Sequence, residues 1–464
     1  MATFLENEPH GTPEGEKDQP QVCLSPTRYL QDQLQPSMHS QSRIHIPSGA
    51  GPIVREIVAK RILELLLTTE TEVDSEVFPK AIANQLVHLA TEYPVIFQHK
   101  YQTSEAEDPR FPLSTVCFLR APLTVVESIY LAYPEAARSS ARDPQRKLPF
   151  RAACFAGAPL DVIQFLYQLE PSVASCCPPP YGLCAIHLFF HGYGFRRSSN
   201  FQFHLLDFLL RVHTDGPRKV CSWKGDSALS YAVLNGAPVE AIQKVYRAFP
   251  EAIESTNHKG YRILDSLARS IENRNNPNIQ DVFKFLIKIT PPESMFRPSQ
   301  GGTRLSPIRQ VARVHSRSTI QYLVNHFGPA TATRLRDSTT LLHDAAFANT
   351  PDVVSFLLTI RSMVRAPMNN TPLHAACDGA KQIGEGSPRS NQGETLEVIQ
   401  LLVDHTPDLL LLRRGGSGPN RPLDLAIYLD LSFQIVEFLH KQTTIQEEIA
   451  KERWKRAVKR QRLD

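Results

Sequence analysis

Five cysteine and histidine residues lie close together in the middle of the chain. Cys176 and Cys177 are adjacent, Cys184 follows, and His187 and His191 come shortly after it. Thiolate sulfur and imidazole nitrogen are ligands that Zn²⁺ prefers, and four of them complete a tetrahedral site. On residue type and spacing, this group suggests a zinc site and, with one coordination position left open, a zinc-dependent enzyme.

Two further pairs have the residue types of nucleophilic catalysis. His343 stands beside Asp344, and Cys377 lies three residues after His374. A histidine that bonds a carboxylate or a thiol can act as a general base. Phosphate-binding loops, kinase motifs and nucleophile elbows are absent from the sequence, and the glycine-rich stretch 413–420 lacks the lysine of a phosphate-binding loop.

These candidate residues fall within a repeated segment. TPLHAAC at 371–377 has a close relative in TLLHDAA at 340–346, and looser copies occur along the chain at intervals of 31 to 50 residues. We call the position of the first histidine the histidine register. Its occupants are Ser114, Arg151, His187, Ser230, Asp265, Arg309, His343, His374 and Asp424.

A second pattern follows each copy after the length of a helix. Segments such as DVIQFLYQL (161–169) and DVVSFLL (352–358) have helical spacing and one apolar face. Several end at a proline, which cannot continue a helix; these prolines are Pro134, Pro171, Pro250 and Pro407. Each unit is therefore predicted to be a short inner helix, a turn and a longer outer helix. One hairpin cannot bury its apolar face alone, so neighbouring hairpins must stack.

The predicted inner helices also have recognisable starts. Threonine can cap a helix, and proline at the first helical position pre-sets its backbone angle, as at Pro372 and Pro422. Two residues before the threonine position stand residue types that tolerate the left-handed conformation of a tight turn. These are Gly182, Gly225, Gly260 and Asn369.

These segments resemble the ankyrin repeat, whose consensus contains G-x-T-P-L-H-x-A in a unit of about 33 residues. The resemblance covers roughly residues 111–441 and is strongest at 340–358 and 371–403, although the histidine is kept at only three positions. It implies an all-α, ankyrin-type solenoid of helical hairpins that binds other proteins through its turns and inner-helix surface. In that family the histidine makes hydrogen bonds between neighbouring loops. The residues assigned this structural role are His187, His343, Pro372, His374 and Pro422.

The repeat register accounts for the catalytic candidates. Cys184 falls at the threonine position and His187 at the histidine position of one unit, and His343 and His374 occupy the same register elsewhere. We therefore predict structural roles for them, with no metal, no cofactor and no enzyme activity. The zinc enzyme remains the alternative.

Composition and charge set the organisation of the chain. Hydrophobic residues make up 42% and charged residues 21% of the 464 residues, as in folded soluble proteins. Eight cysteines are too few for a disulfide scaffold, and neither a signal peptide nor a long apolar run is found. We therefore predict a protein of the cytoplasm or nucleus with no membrane association. We also predict that it is a monomer. The predicted parts are a disordered arm (1–50), a capping helix pair (51–105), about nine degenerate repeats (106–441) and a basic helix (442–464).

The predicted turns carry an excess of cations, which would suit an acidic partner segment. The candidate binding residues are Arg146, Lys147, Trp223, Lys224, Lys259, Arg413 and Arg414, with Trp223 as the anchor. The alternative is that these loops are solvated and mixed in charge. The polar insertions at about 190–202 and 379–395 are predicted to be mobile. The sequence does not identify the partner.

The formal net charge of +4 arises in residues 441–464, and the rest of the chain is formally neutral. A capping box at Thr444 and Glu447 predicts the start of a C-terminal helix. One interpretation is a helix that shields the last repeat, with Trp454 packed against it. The other is a nuclear-targeting or nucleic-acid patch, which would make the protein a nuclear factor. The patch comprises Lys455, Arg456, Lys459, Arg460 and Arg462.

Overall fold

The computed structural model describes residues 62, 64, 78–100, 111–138, 148–177, 181–192, 202–222, 224–298, 305–328, 339–360, 371–382, 388–389, 391–414 and 421–461. They belong to one compact unit that spans Ser42–Asp464. The predicted arm 1–50 and most of the first capping helix lie outside the described residues. So do Arg146, Lys147, Trp223, Asn369, Arg462 and the side chains of Lys459 and Arg460.

All regular structure in these described ranges is helical, which confirms the all-α prediction. The first helix, α1, spans Lys80–Glu92. Nine short inner helices follow: α2 (Pro112–Phe118), α4 (Pro149–Ala156), α6 (Ala185–His191), α8 (Ala228–Leu234), α10 (Ile263–Arg269), α12 (Pro307–Val314), α14 (Leu341–Ala348), α16 (Pro372–Gly379) and α18 (Pro422–Tyr428). Each is followed by an outer helix: α3 (Leu123–Ala132), α5 (Leu160–Leu169), α7 (Phe203–Val212), α9 (Val239–Ala248), α11 (Ile279–Ile289), α13 (Arg317–Phe327), α15 (Pro351–Leu358), α17 (Gln392–His405) and α19 (Phe433–Gln461).

The core lies where the inner helices stack. Each inner helix from α2 to α16 contacts the next inner helix along the chain, and most also pack on their own outer helix. The residue three positions after the histidine register is at most 1% exposed in the first eight inner helices. In α18 the equivalent residue, Ile427, is 59% exposed, because no described inner helix follows. Burial at this position is therefore produced by the neighbouring unit.

Proline residues mark where many of the helices begin and end. Pro112, Pro149, Pro307, Pro372 and Pro422 each occupy the first position of an inner helix, where the missing N–H costs no hydrogen bond. The outer helices α3, α5, α9 and α17 end two residues before a proline, as predicted, and a short 3₁₀ turn begins at each of these prolines. Local sequence chemistry thus sets where the helices begin and end.

Polar side chains from neighbouring units close the C-terminal ends of the inner helices. Arg120 Nε donates to the Ala156 carbonyl at 2.8 Å, and Asn273 Nδ2 donates to the Leu234 carbonyl at 2.9 Å. Asn349 Nδ2 donates to the carbonyls of Ala312 and His315 at 2.8 and 2.9 Å. The last carbonyls of a helix have no partner within the helix, so these bonds satisfy them across the stack.

Two arginines tie several segments together. Arg389 lies in the insertion that was predicted to be mobile, yet its side chain is buried and donates to the carbonyls of Ala345, Ala346 and Asn349. Arg274, in the α10–α11 loop, donates to the Val314 carbonyl at 3.0 Å and to Asn349 Oδ1 at 2.9 Å. Its other terminal nitrogen donates to Thr350 Oγ1 at 2.8 Å. Arg274 therefore joins three consecutive hairpins.

Candidate functional site

The nine residues of the histidine register all occupy the third position of an inner helix. His343 Nδ1 accepts a hydrogen bond from the Thr340 N–H at 3.0 Å. The carboxylates of Asp265 and Asp424 accept from the N–H groups of Arg262 and Arg421, at 3.2 Å in both cases. Imidazole and carboxylate side chains thus accept the same hydrogen bond from a backbone N–H at the start of an inner helix. This favours the structural role predicted for His343.

The carboxylate of Asp344 forms ion pairs with two arginines. It is buried, with its oxygens 2.6 Å from Arg309 Nε and 2.9 Å from Arg313 Nε, and both arginines lie on α12. Cys377 is also poorly suited to act as a nucleophile, because burial raises the pKa of its thiol to about 12. A cysteine nucleophile needs a lowered pKa, so the shift at Cys377 is opposite to the one that catalysis would require.

The structure brings together only part of the predicted zinc group. Cys184 Sγ is 2.8 Å from His187 Nδ1, whereas the Cys177 thiol donates to the Ser175 carbonyl at 3.5 Å. The ring of His191 packs edge-on against Phe155 and Tyr231, with centroids 6.0 and 5.7 Å away. Within the described ranges no three or more histidine, cysteine or acidic side chains are arranged to hold a metal ion.

The two thiols of this group differ in acidity. Interaction with Cys184, helped by the charges of Arg151 and Lys219, lowers the pKa of Cys177 to about 7, although partial burial opposes the shift. The same interaction and burial raise the pKa of Cys184 well above its usual value. Burial lowers the pKa of His187 to about 3, partly offset by the backbone carbonyls of Asp226 and Lys219. Of the two thiols, Cys177 is therefore the more acidic.

Buried neutral histidines make the fold sensitive to acid. Burial lowers the pKa of His187 to about 3 and that of His315 to about 4. An unfolded histidine titrates at about 6.5, so below that pH the unfolded state binds protons that the folded state does not. Stability is full above pH 6.5 and is lost as the pH falls towards the folded-state pKa. From pH 6.5 to 5, each histidine should cost about 2 kcal/mol.

Urea unfolding at pH 7 and pH 5 measures this loss. The double variant His187→Gln/His315→Gln should lose about 4 kcal/mol less than the unmodified chain over the same interval. Equal losses for the two proteins would contradict the assignment of this sensitivity to the buried histidines.

Three consecutive turns are joined through their backbones. The Ser222 N–H donates to the Tyr181 carbonyl at 2.7 Å, and the His258 N–H donates to the Lys224 carbonyl at 2.8 Å. Gly182, Gly225 and Gly260 have the predicted left-handed backbone, with φ of 62°, 72° and 73°. At Gly182 and Gly225 an added Cβ would collide with Ser222 and His258, so glycine is what allows the turns to approach.

The joined turns carry three lysines and a histidine. Lys219, His258 and Lys259 are exposed, and Lys224 is half-buried on the middle turn. Val220, which the sequence analysis did not single out, is also exposed. We call Lys219, Val220, Lys224, His258 and Lys259 the basic turn surface.

The other predicted binding residues lie elsewhere. Arg414 is paired with Asp378 on α16 at 2.8 Å, and exposed Arg413 precedes it. Both follow the 3₁₀ turn Pro407–Leu410, several units along the chain from the basic turn surface. The structure therefore brings Lys224 and Lys259 onto joined turns and places Arg413 and Arg414 on a different one.

The C-terminal tail differs from its prediction. The expected helix start at Thr444 is wrong, because α19 runs without a break from Phe433 to Gln461 and Thr444 Oγ1 donates to the His440 carbonyl inside it. Glu447 pairs with Arg421 Nη1 at 2.6 Å instead of capping a helix. Trp454 is 69% exposed rather than packed against the last unit. Lys455 and Arg456 beside it are also exposed, and Lys455 pairs with Glu452.

Comparisons with known proteins add little to this picture. No family model matches the chain, and no curated protein matches it. A solved structure with similarity is the Bd0816 predatory endopeptidase from Bdellovibrio bacteriovorus in complex with the immunity protein Bd3460. It has a TM-score of 0.35 and 16% identity, covering 46% of this chain and 96% of that chain. A likeness of this size carries no argument about function. None of the described helices combines the length and apolarity that a membrane span requires.

Proposed function

We propose that this chain is an ankyrin-type repeat protein of the cytoplasm or nucleus that binds an acidic segment of a partner protein and catalyses no reaction. The observation that carries the proposal is the backbone joining of consecutive turns, which places Lys219 and Lys224 on one turn and Lys259 on the turn bonded to it. Cations fixed on a stacked scaffold raise the encounter rate with an acidic partner and favour its binding. Exposed Val220 supplies an apolar contact at the same place.

Charge reversal on the full chain tests the proposal. The variant Lys219→Glu/Lys224→Glu/Lys259→Glu should bind its partners at least about tenfold more weakly in affinity capture from native extract, since three attractive contacts become repulsive. Capture by the unmodified chain should also weaken as salt is raised. Quantitative mass spectrometry of the captured proteins gives the measurement.

The matched control reverses three lysines on the outer helices. Lys244 lies on α9, and Lys284 and Lys288 lie on α11, so Lys244→Glu/Lys284→Glu/Lys288→Glu makes the same change in net charge on another face. It should retain the partners. If both triple variants lose the partners equally, or neither loses them, the basic turn surface is not the binding site.

A second candidate function rests on the tail. Exposed Trp454 beside Lys455 and Arg456 presents a stacking ring and two cations, the combination that binds nucleic acid strands. Under this hypothesis the protein is a nuclear factor whose repeats recruit partners. Because residue 442 lies inside α19, point variants are a cleaner test than truncation. Lys455→Glu/Arg456→Glu should abolish salt-dependent binding to single-stranded RNA or DNA if this function is present.

A further inference from the structure

The last described hairpin exposes large apolar side chains around its turn. Ile427 on α18 is 59% exposed, and Tyr428 beside it is 72% exposed. Phe433, the first residue of α19, is 76% exposed. Large apolar side chains that are exposed together mark a surface that binds another molecule. We call Ile427, Tyr428 and Phe433 the end patch.

Carboxylates flank the end patch. The exposed ones are Asp424, Asp430 and Glu437. Asp430 has a left-handed backbone with φ of 53°, and it occupies the position that Arg120, with φ of 59°, holds after α2. The side chain of Arg120 reaches across to the next hairpin, where it donates to the Ala156 carbonyl. A carboxylate at the equivalent place attracts a cation instead. The end patch therefore suits an apolar segment that carries lysine or arginine.

The far end of α19 has this chemistry. Trp454 is 69% exposed. The exposed cations around it are Lys451, Arg453, Lys455 and Arg456. Because α19 is one unbroken helix, Trp454 lies about 32 Å from Phe433 along the helix axis. The tail of a chain therefore cannot cover its own end patch, whereas the tail of a second copy can.

The exposed residues of α19 have the charge pattern that an antiparallel pair of these helices requires. Phe433 and Trp454 are three heptads apart, so both lie near one face of the helix. Exposed Glu437 and Lys451 lie seven residues before and after Thr444, which is also exposed. A two-fold axis at Thr444 places Glu437 of each copy opposite Lys451 of the other. The same axis brings Phe433 of each copy to Trp454 of the other.

We propose that the chain forms a homodimer in which two α19 helices pack antiparallel and the basic tail of each copy covers the end patch of the other. The interface is reciprocal, so each favourable contact is made twice. This dimer replaces the monomer expected from the sequence. It does not depend on the basic turn surface, which lies between α7 and α10.

Sedimentation velocity of the nuclease-treated full chain tests the proposal. The mass should rise from the 52.1 kDa of one chain towards twice that value as the concentration is raised. Glu437→Lys and Lys451→Glu should each raise the dissociation constant of the dimer at least about tenfold, because each substitution creates two like-charge contacts. Both residues are exposed, so neither substitution removes a core contact.

Mixing these two variants gives the sharpest result. In a mixed dimer each reversed charge meets an opposite charge again, so an equimolar mixture should regain the dissociation constant of the unmodified chain. Lys288→Glu changes an exposed lysine on α11 and is the matched control, which should dimerise normally.

Three outcomes of the mass measurement would overturn the proposal: a single-chain mass at every concentration, a dimer that both variants keep, and a mixture of the variants that stays monomeric. An increase in mass that nuclease treatment removes would also overturn it, because the tail would then bind nucleic acid rather than a second copy. Capture of a basic segment from another protein by a chain that stays monomeric when pure would overturn it as well.

Discussion

Replacing Asp344 by asparagine is expected to destabilise the folded chain by about 3–5 kcal/mol. Its carboxylate is the negative partner of both Arg309 and Arg313, and Arg309 is itself buried. Without that charge, two guanidinium groups lie close together in a poorly hydrated region, which costs far more than the loss of one exposed ion pair. Chemical denaturation followed by circular dichroism measures the change.

The matched control is Asp281→Asn. Asp281 pairs with Lys284 at 2.7 Å, but both side chains are about half exposed, so water replaces the lost partner. Its denaturation midpoint should move much less than that of Asp344→Asn. Equal midpoint shifts in the two variants would contradict the claim that burial makes the Asp344 pairs important.

The second large effect is expected at Gly379. A Cβ at this position would overlap the carbonyl of Phe347 on α14, and because that oxygen belongs to the backbone it cannot rotate away. Gly379→Ala must therefore separate α14 from α16, at a cost of about 3 kcal/mol. The denaturation midpoint of the full chain reports the loss, and hydrogen exchange should show it first in these two helices.

Gly393→Ala is the control for this variant. A Cβ there meets only the side-chain oxygen of Asn391, which can move, and alanine has a higher helix propensity than glycine. The stability should change by less than about 1 kcal/mol in either direction. If Gly379→Ala is as stable as Gly393→Ala, the close approach of α14 and α16 is not as described.

The features that could be predicted from the sequence are those with local causes. The histidine register lies at the third position of an inner helix in all nine cases, and the predicted prolines follow the outer helices where expected. These positions depend on capping chemistry and apolar spacing, which operate over a few residues. The left-handed turns at Gly182, Gly225 and Gly260 were predictable for the same reason.

The features that the sequence analysis missed depend on contacts between distant segments. Arg389 lies in a polar insertion and has the composition of a mobile loop, but its partners are carbonyls about forty residues earlier. The continuity of α19 was missed because Thr444 and Glu447 have the spacing of a capping box. The same two residue types also occur inside a helix, and no neighbouring residue distinguishes the two cases. At the cysteine group the zinc interpretation overlooked Arg151, which donates to the Cys176 carbonyl, although an arginine in the histidine register was a visible signal.

The arginine of the α10–α11 loop gives the array a mechanical property. A stack of hairpins pulled from its ends would release one hairpin at a time, each lengthening the chain by roughly 100 Å. Arg274 instead bonds to Val314, Asn349 and Thr350, which lie in the next two hairpins. Under tension the three hairpins from α10 to α15 should therefore resist together and then yield in one event, lengthening the chain by on the order of 300 Å. In an extension experiment, this middle section is therefore expected to give one long step.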